Sequence, residues 1–205
     1  MDGGFSFPLC GVGGQGIVLM SKVIGTACAA TGSNAVTGEQ HGLSQRSGSI
    51  SIHFRIGPGV TSPLIPLATA EAIVSLEALE CLRVIEYLKP GGTVFTSTLV
   101  MNPVTSTALR VRDAAARCWT FGDVQERLAG AGIGLKALDA RVMARKMGFP
   151  VVENMVMLGA LSTAAGFPLA PGAIEEAIAG LVPAGTAAIN TSAFQAGRSA
   201  AEGIN

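Results

Sequence analysis

Charge is scarce in this chain. Asp, Glu, Lys and Arg make up only 14% of its 205 residues, and 14 basic side chains balance 14 acidic ones. No basic run and no aromatic-laced basic patch occurs, so the electrostatic footprint of a nucleic-acid binder is missing. Aromatics are also few, at 5%, with one Trp and one Tyr. The four cysteines, Cys10, Cys28, Cys81 and Cys118, stand far apart without a C-x-x-C pair. Zinc and iron–sulfur sites use clustered ligands. These cysteines therefore read as free thiols packed like small hydrophobes, and any metal-centred redox chemistry belongs to another chain. No apolar run reaches the roughly 18–20 residues that span a membrane. The apolar C-terminal part is broken by Glu153, Asn154, Glu175, Glu176 and several prolines. The N-terminus, MDGGFSFPLC, is acidic and lacks a long apolar core, which argues against a secretory signal. A soluble, cytoplasmic protein is expected.

What the chain has is hydrophobic residues, 49% of the total, and 27 glycines. That composition suits a large core with tight turns, and the length suits one well-buried domain over residues 1–205. The sparse surface charge fits coverage by a partner, or dimerisation.

Hydrophobic periodicity predicts the element order. Phe5 to Cys10 reads as a strand, followed by a glycine loop and a helix from Ile17 to Ala30 with Ile17, Met20, Val23 and Ile24 at helical spacing. Asn34 to Thr37 reads as a second strand, and Gly38 to Ser47 as a polar loop. From Ser49 to Ile56, Ile50, Ile52, Phe54 and Ile56 alternate with Ser49, Ser51, His53 and Arg55, the period of a half-buried strand. His53 is accordingly expected at the surface. Glu71 to Leu76 reads as a buried strand. Leu79, Leu82, Ile85 and Leu88 then suggest a helix stopped by Lys89-Pro90-Gly91-Gly92. Thr93 to Thr96 and Ile133 to Leu138 read as strands, and Leu109 to Val111 as a weaker one. Phe121 to Ala129 and an Asp139-capped segment to Met147 read as helices. Beyond Val151 the pattern is purely helical, with segments near 153–164, from Pro171, and 191–201. Alternating strands and helices predict an α/β fold, a doubly wound, Rossmann-like and mostly parallel sheet with a helical C-terminal segment.

GVGGQG, Gly11 to Gly16, has the form G-x-G-x-x-G between a strand and a helix. Glycines there permit a tight turn, close backbone approach and helix–sheet packing, and the helix amides can hold an anion. Gly11, Gly13, Gly14, Gln15 and Gly16 are therefore candidate cofactor contacts. Glu39, near the end of the second strand, lies about where a ribose-binding acid would sit, so a free-standing nicotinamide dinucleotide-binding dehydrogenase is one reading. Gln15 counts against it, since it puts a large amide inside the turn. A turn built for structure alone is the plainer alternative.

The second signal is EQHGLSQRSGS, Glu39 to Ser49. It follows the second strand, and in an open α/β sheet such a loop should face the glycine loop across a crevice. His41 could exchange a proton or donate a hydrogen bond near neutral pH. Arg46 could grip a phosphate or carboxylate, and Ser44 and Gln45 could complete a polar wall. A solvated loop with its own hydrogen-bond network is the alternative.

GVGGQG followed by TGEQHGLSQRSGSISIHFRIG resembles the gamma-type domain of 2-oxoacid:ferredoxin oxidoreductases. The helical end agrees, through NMVMLGAL at 154–161, Glu175-Glu176 and NTSAFQAG at 190–197. The resemblance covers nearly the whole chain, and its G-E-x-H-G form is most similar to the indolepyruvate branch, whose small beta subunit is this domain alone. Leu43 and Ser47 depart from the family pattern, which favours Met and Gly there.

The resemblance implies oxidative decarboxylation of a 2-oxoacid, with an aryl pyruvate such as indolepyruvate expected, electrons leaving to ferredoxin and the acyl group passing to coenzyme A. Thiamine diphosphate, magnesium and the iron–sulfur clusters are expected on a larger partner subunit. In this sequence the only approach to a thiamine motif, Gly122-Asp123-Val124 with Asn154, lacks the third glycine, and Asn154 is better placed to cap a helix or bond buried backbone. The chain should be inactive alone, completing the holoenzyme and contributing Gly11, Gly13, Gly14, Gln15, Gly16, Glu39, His41, Ser44, Gln45 and Arg46 to the coenzyme A entry site. A ligand-free scaffold subunit, its crevice filled by Gln15 and the loop, is the competing reading within the same family.

Overall fold

A computed structural model describes residues 4–41, 48–102 and 118–204. Phe5–Val12 forms β1, buried along its whole length. The glycine loop leads into α1, Ile17–Ala30. Ala35–His41 (β2) and Ser49–Ile56 (β3) form an antiparallel pair, and Ala70–Ser75 is β4. Ala78–Arg83 (α2) and a 3₁₀ turn at Ile85–Tyr87 lead into β5, Leu88–Ser97. Phe121–Gly130 (α3), Gly134–Leu138 (β6) and Ala140–Lys146 (α4) follow. The chain ends in Glu153–Leu161 (α5), Pro171–Leu181 (α6) and Ala187–Glu202 (α7). None of the described helices is long and apolar enough to cross a membrane.

The six strands lie in the order β2-β3-β1-β4-β5-β6. β1, β4, β5 and β6 are parallel, while β3 runs antiparallel to both β1 and β2. The sheet is thus mostly parallel, with one reversed strand wedged between the first two. Both faces are covered, as expected of a parallel sheet. On one face Phe7, Leu9, Ile52, Phe54 and Val74 pack against α1 and the C-terminal helices. Phe7 and Phe54 stack with centroids 5.2 Å apart. On the other face Cys10, Ile73 and Val94 pack against α2 and α3.

Local chemistry explains the helix limits. Thr120 and Asp123 close a capping box on α3, which gives Asp123 a structural task in place of a thiamine-motif role. Asp139 Oδ1 accepts from Val142 N at 3.1 Å and starts α4. The C-terminal helices fold onto the sheet, and α5 and α7 cross where Gly159 and Gly197 face each other's backbones. A Cβ on Gly159 would collide with Phe194 O, and one on Gly197 with Val156 O. Two glycines, one in each of the sequence's helical motifs, thereby set the closeness of this crossing.

Four expectations need correction. β2 continues to His41, so the polar loop starts later than Gly38. β3 separates β2 from β1, so the end of the second strand is not beside the end of the first. The helix expected to run to Leu88 ends at Arg83, and Leu88 already pairs with Ala70 in the sheet. Between the pairs Ala70↔Leu88 and Ala72↔Thr93, β5 advances five residues against two in β4, so Lys89 to Gly92 form a bulge. Finally, His53 is 2% exposed and not at the surface. Its Nδ1 accepts from Ile65 N at 3.1 Å, because the chain after β3 folds back over this face. The strand suggested at 109–111 lies outside the described residues.

Candidate functional site

The glycine loop is built around one side chain. Gln15 is 8% exposed and turned into the turn. Its Oε1 accepts from Val12 N at 2.7 Å and its Nε2 donates to Leu76 O at 2.9 Å, fastening the end of β1 to the end of β4. Gly11 makes room for it, since a Cβ there would lie 2.7 Å from Gln15 Oε1 and 3.2 Å from Leu76 Cβ. At the other end of the loop Gly16 has φ +77°, the left-handed region that favours glycine. Asn154, from the first turn of α5, packs directly against Gly16, and its Nδ2 donates to Gly16 O at 3.2 Å. Asn154 bonds buried backbone, as its surroundings in the sequence suggested.

The loop's inner amides are therefore occupied. Val12 N is bonded to Gln15, Gln15 N donates to Val12 O at 3.2 Å, and Gly13 N to Gly48 O at 3.0 Å. Outside the turn, Gly14, Gln15 and Gly16 form one wall of a cleft of about 550 Å³. Its other walls come from Arg141, Arg145, Phe149 to Val151, Glu153, Asn154, Val182, Pro183, Thr186 and Asn190. Three helix starts, those of α1, α5 and α7, meet there, and their partial positive charge favours an anion. Two arginines and one glutamate line the cleft. Arg141 Nε lies 3.3 Å from Glu153 Oε2, which holds that arginine against the wall. Arg145 is exposed. This arrangement can hold a phosphate group by backbone amides and guanidinium forks together.

Sequence reasoning found the glycine loop but not Arg141, Arg145 or Asn190. They lie more than 120 positions further along the chain, and no local pattern tied them to it. It also missed Glu77 and Glu80. Glu77 is buried, with its carboxylate accepting from Glu80 N at 2.9 Å and Met101 N at 2.7 Å. Burial raises its pKa, against the lowering effect of those amides. Glu80 bonds Ser49 Oγ and also pairs with Arg83 Nε at 3.1 Å. Together with Gly13 N to Gly48 O, this pins the start of β3 beside the glycine loop.

The second group of candidates is divided. Ser44, Gln45 and Arg46 lie outside the described residues. His41 is the last residue of β2, opposite Ile50 in the register, and Ser49 opposes Val12. His41 and Gly48 thus both lie toward the glycine-loop end of the sheet. Glu39 opposes Ile52, which opposes Leu9 of β1. It thus stands two strands from β1, about 10 Å at the usual strand spacing. A ribose-binding acid belongs beside the glycine loop, and here β3 fills that place, which disfavours the nicotinamide reading.

Comparison with known proteins agrees with this fold. The family model described as pyruvate ferredoxin/flavodoxin oxidoreductase matches residues 6–200. Indolepyruvate oxidoreductase subunit IorB of Thermococcus kodakarensis is 38% identical over 200 residues, covering 97% of this chain and 96% of that protein. The keto/oxoacid ferredoxin oxidoreductase gamma subunit of Geobacter sulfurreducens superposes with a TM-score of 0.69 at 22% identity, covering 97% of this chain and 98% of that one. The 2-oxoglutarate:ferredoxin oxidoreductase of Magnetococcus marinus, solved with 2-oxoglutarate, coenzyme A and succinyl-CoA bound, superposes with a TM-score of 0.73 at 19% identity. That match takes in all of this chain but only 32% of the other.

Proposed function

The chain belongs to the pyruvate ferredoxin/flavodoxin oxidoreductase family, and from that premise we propose that it is the small, non-thiamine subunit of an aryl-pyruvate:ferredoxin oxidoreductase whose cleft receives the phosphate-bearing end of coenzyme A. Residues 1–205 act as one gamma-type domain. A larger subunit carries thiamine diphosphate, magnesium and the iron–sulfur clusters, and ferredoxin takes the electrons from that assembly. The substrate class rests on the likeness to the indolepyruvate subunit of Thermococcus kodakarensis.

The observation that carries the coenzyme reading is the cleft itself, with helix starts and two arginines converging outside a glycine loop whose interior is already filled. Coenzyme A has a diphosphate and a 3′-phosphate, which this donor set suits. Gly14, Gly16 and Arg145 would hold a phosphate, with Arg141 kept in place by Glu153. Bound there, coenzyme A supplies the thiol that accepts the acyl group. His41 and Arg46 are proposed to contribute to the same site.

Calorimetric titration of the purified two-subunit complex with coenzyme A tests this. Arg141→Ala/Arg145→Ala should weaken binding by tenfold or more, on the order of 1.4 kcal/mol. Affinity unchanged in that variant would remove coenzyme A from this cleft and leave the scaffold role.

A further inference from the structure

Between β3 and β4 the chain runs through GPGVTSPLIPLAT, residues 57–69, a stretch without one charged side chain. Most of it is exposed, and Leu64 and Leu67 each show 61% of their surface to solvent. Such a loop would usually be polar and mobile. This one is held. Asn34 Nδ2 donates to Val60 O at 2.9 Å. Arg55 Nη1 donates to Ser62 O at 3.0 Å and Leu64 O at 3.3 Å. Ile65 N donates to His53 Nδ1 at 3.1 Å and Ala68 N to Glu86 O at 2.9 Å. Pro63 packs on Gly38, where a Cβ would lie 3.0 Å away. Ile65 is the buried anchor between the two exposed leucines. Ala68 has φ +55°, and among the described residues no other non-glycine residue has a positive φ.

Contacts from β2, β3 and the turn before β5 thus fix a loop that turns two leucines outward. Ordering such a loop in advance removes an entropy cost from docking. The absence of charge means that covering it desolvates no ion. Apolar anchors on a rigid base are what a protein–protein contact concentrates its energy on.

We infer that Leu64 and Leu67 are a preformed docking contact for the larger, thiamine-bearing subunit, which meets them with an uncharged, apolar surface. This rests on the subunit reading above. The same fold occupies only 32% of the Magnetococcus marinus chain, where it is joined to the remaining 68% (100 − 32) as one polypeptide. A fold that is covalently part of a longer chain in one protein needs a non-covalent hold on its counterpart in another. The position also suits assembly. The loop leaves β3 at Ile56, which opposes Phe5 and Ala35, the first residues of β1 and β2. The glycine loop and its cleft lie at the opposite end of β1, so docking here leaves the cleft open.

The test uses this chain and the purified larger subunit. Leu64→Ser/Leu67→Ser should retain the circular dichroism spectrum and melting temperature of the wild type, because both side chains are mostly in water. Its affinity for the larger subunit should fall tenfold or more by biolayer interferometry, whereas Leu181→Ser, an exposed leucine on α6, should bind as wild type does. Wild-type affinity in the double variant would overturn the docking contact while leaving the subunit reading intact. Failure of the wild-type chain to bind the larger subunit would overturn both. If the double variant instead loses only self-association by size-exclusion, the contact belongs to a second copy and the inference is wrong.

Discussion

Asn154 reaches across 138 positions of sequence to bond Gly16, its side-chain amide donating to the glycine carbonyl at 3.2 Å. The contact ties the start of α5 to the start of α1, and it is packed so closely that a Cβ on Gly16 would strike the asparagine. Asn154→Leu removes one of the two donors to Gly16 O, the other being Met20 N at 3.0 Å, and loss of one such bond costs about 0.5–1.5 kcal/mol. The melting temperature should fall by about 1–6 °C. Gly16→Ala should be worse, since it adds the collision and a disfavoured backbone angle.

Gln15 carries a different load. Its two bonds join the last residue of β1 to the residue after β4. Gln15→Glu keeps the size but replaces the Nε2 donor by an acceptor facing Leu76 O. We expect a loss of roughly 1–3 kcal/mol in denaturant unfolding, with Gln15→Ala no better, since Val12 N then loses its acceptor.

His53 makes stability depend on pH. Burial lowers its pKa from the ordinary 6.5, and its Nδ1 must stay unprotonated to accept from Ile65 N. The unfolded chain therefore binds more protons between the lowered value and 6.5, and stability rises with pH across that window. The contribution is whole above 6.5 and is lost as pH falls below it. Glu77 has the opposite sign, because burial raises its pKa above 4.5. Its contribution is whole below 4.5 and is lost as pH rises through the raised value. Urea unfolding at pH 5.5 and 7.5 in wild type and His53→Gln isolates the histidine, since the Glu77 slope is common to both. The wild type should lose more stability than the variant on going to pH 5.5.

The thiols give a direct reading of burial. Desolvation pushes Cys28 up to about 11 and Cys81 up to about 12, and Cys10 is also raised. A maleimide at neutral pH should modify the partly exposed Cys118 in the folded chain, and all four cysteines only after unfolding. The stability these three protonated thiols contribute is whole below pH 9 and falls as pH rises through the range from 9 to 12.

Much of this was legible in the sequence because its signals are local. A glycine run between a strand and an amphipathic helix fixed the β1–α1 turn, and the predicted helix from Ile17 to Ala30 has the observed ends. The strand Ser49 to Ile56 was also found at its true limits by its period of two. Its exposure was not, because alternation reports which residues share a face and says nothing of what covers it. Here the chain at 60–69 covers His53, and Glu80 takes up Ser49. Spatial order was hidden for a related reason, since nothing in β2 or β3 records that β3 pairs with β1. The cleft was half legible. Its glycine wall lies in one short segment, while Arg141 and Arg145 arrive from a helix whose pattern is that of any solvated basic turn.

The most direct test of the account is reconstitution. The purified larger subunit is assayed for indolepyruvate-dependent ferredoxin reduction with coenzyme A, with and without this chain. Turnover is expected only when both are present, and none from this chain alone. Full activity of the larger subunit by itself, or oxidation of NADH by this chain alone, would contradict it.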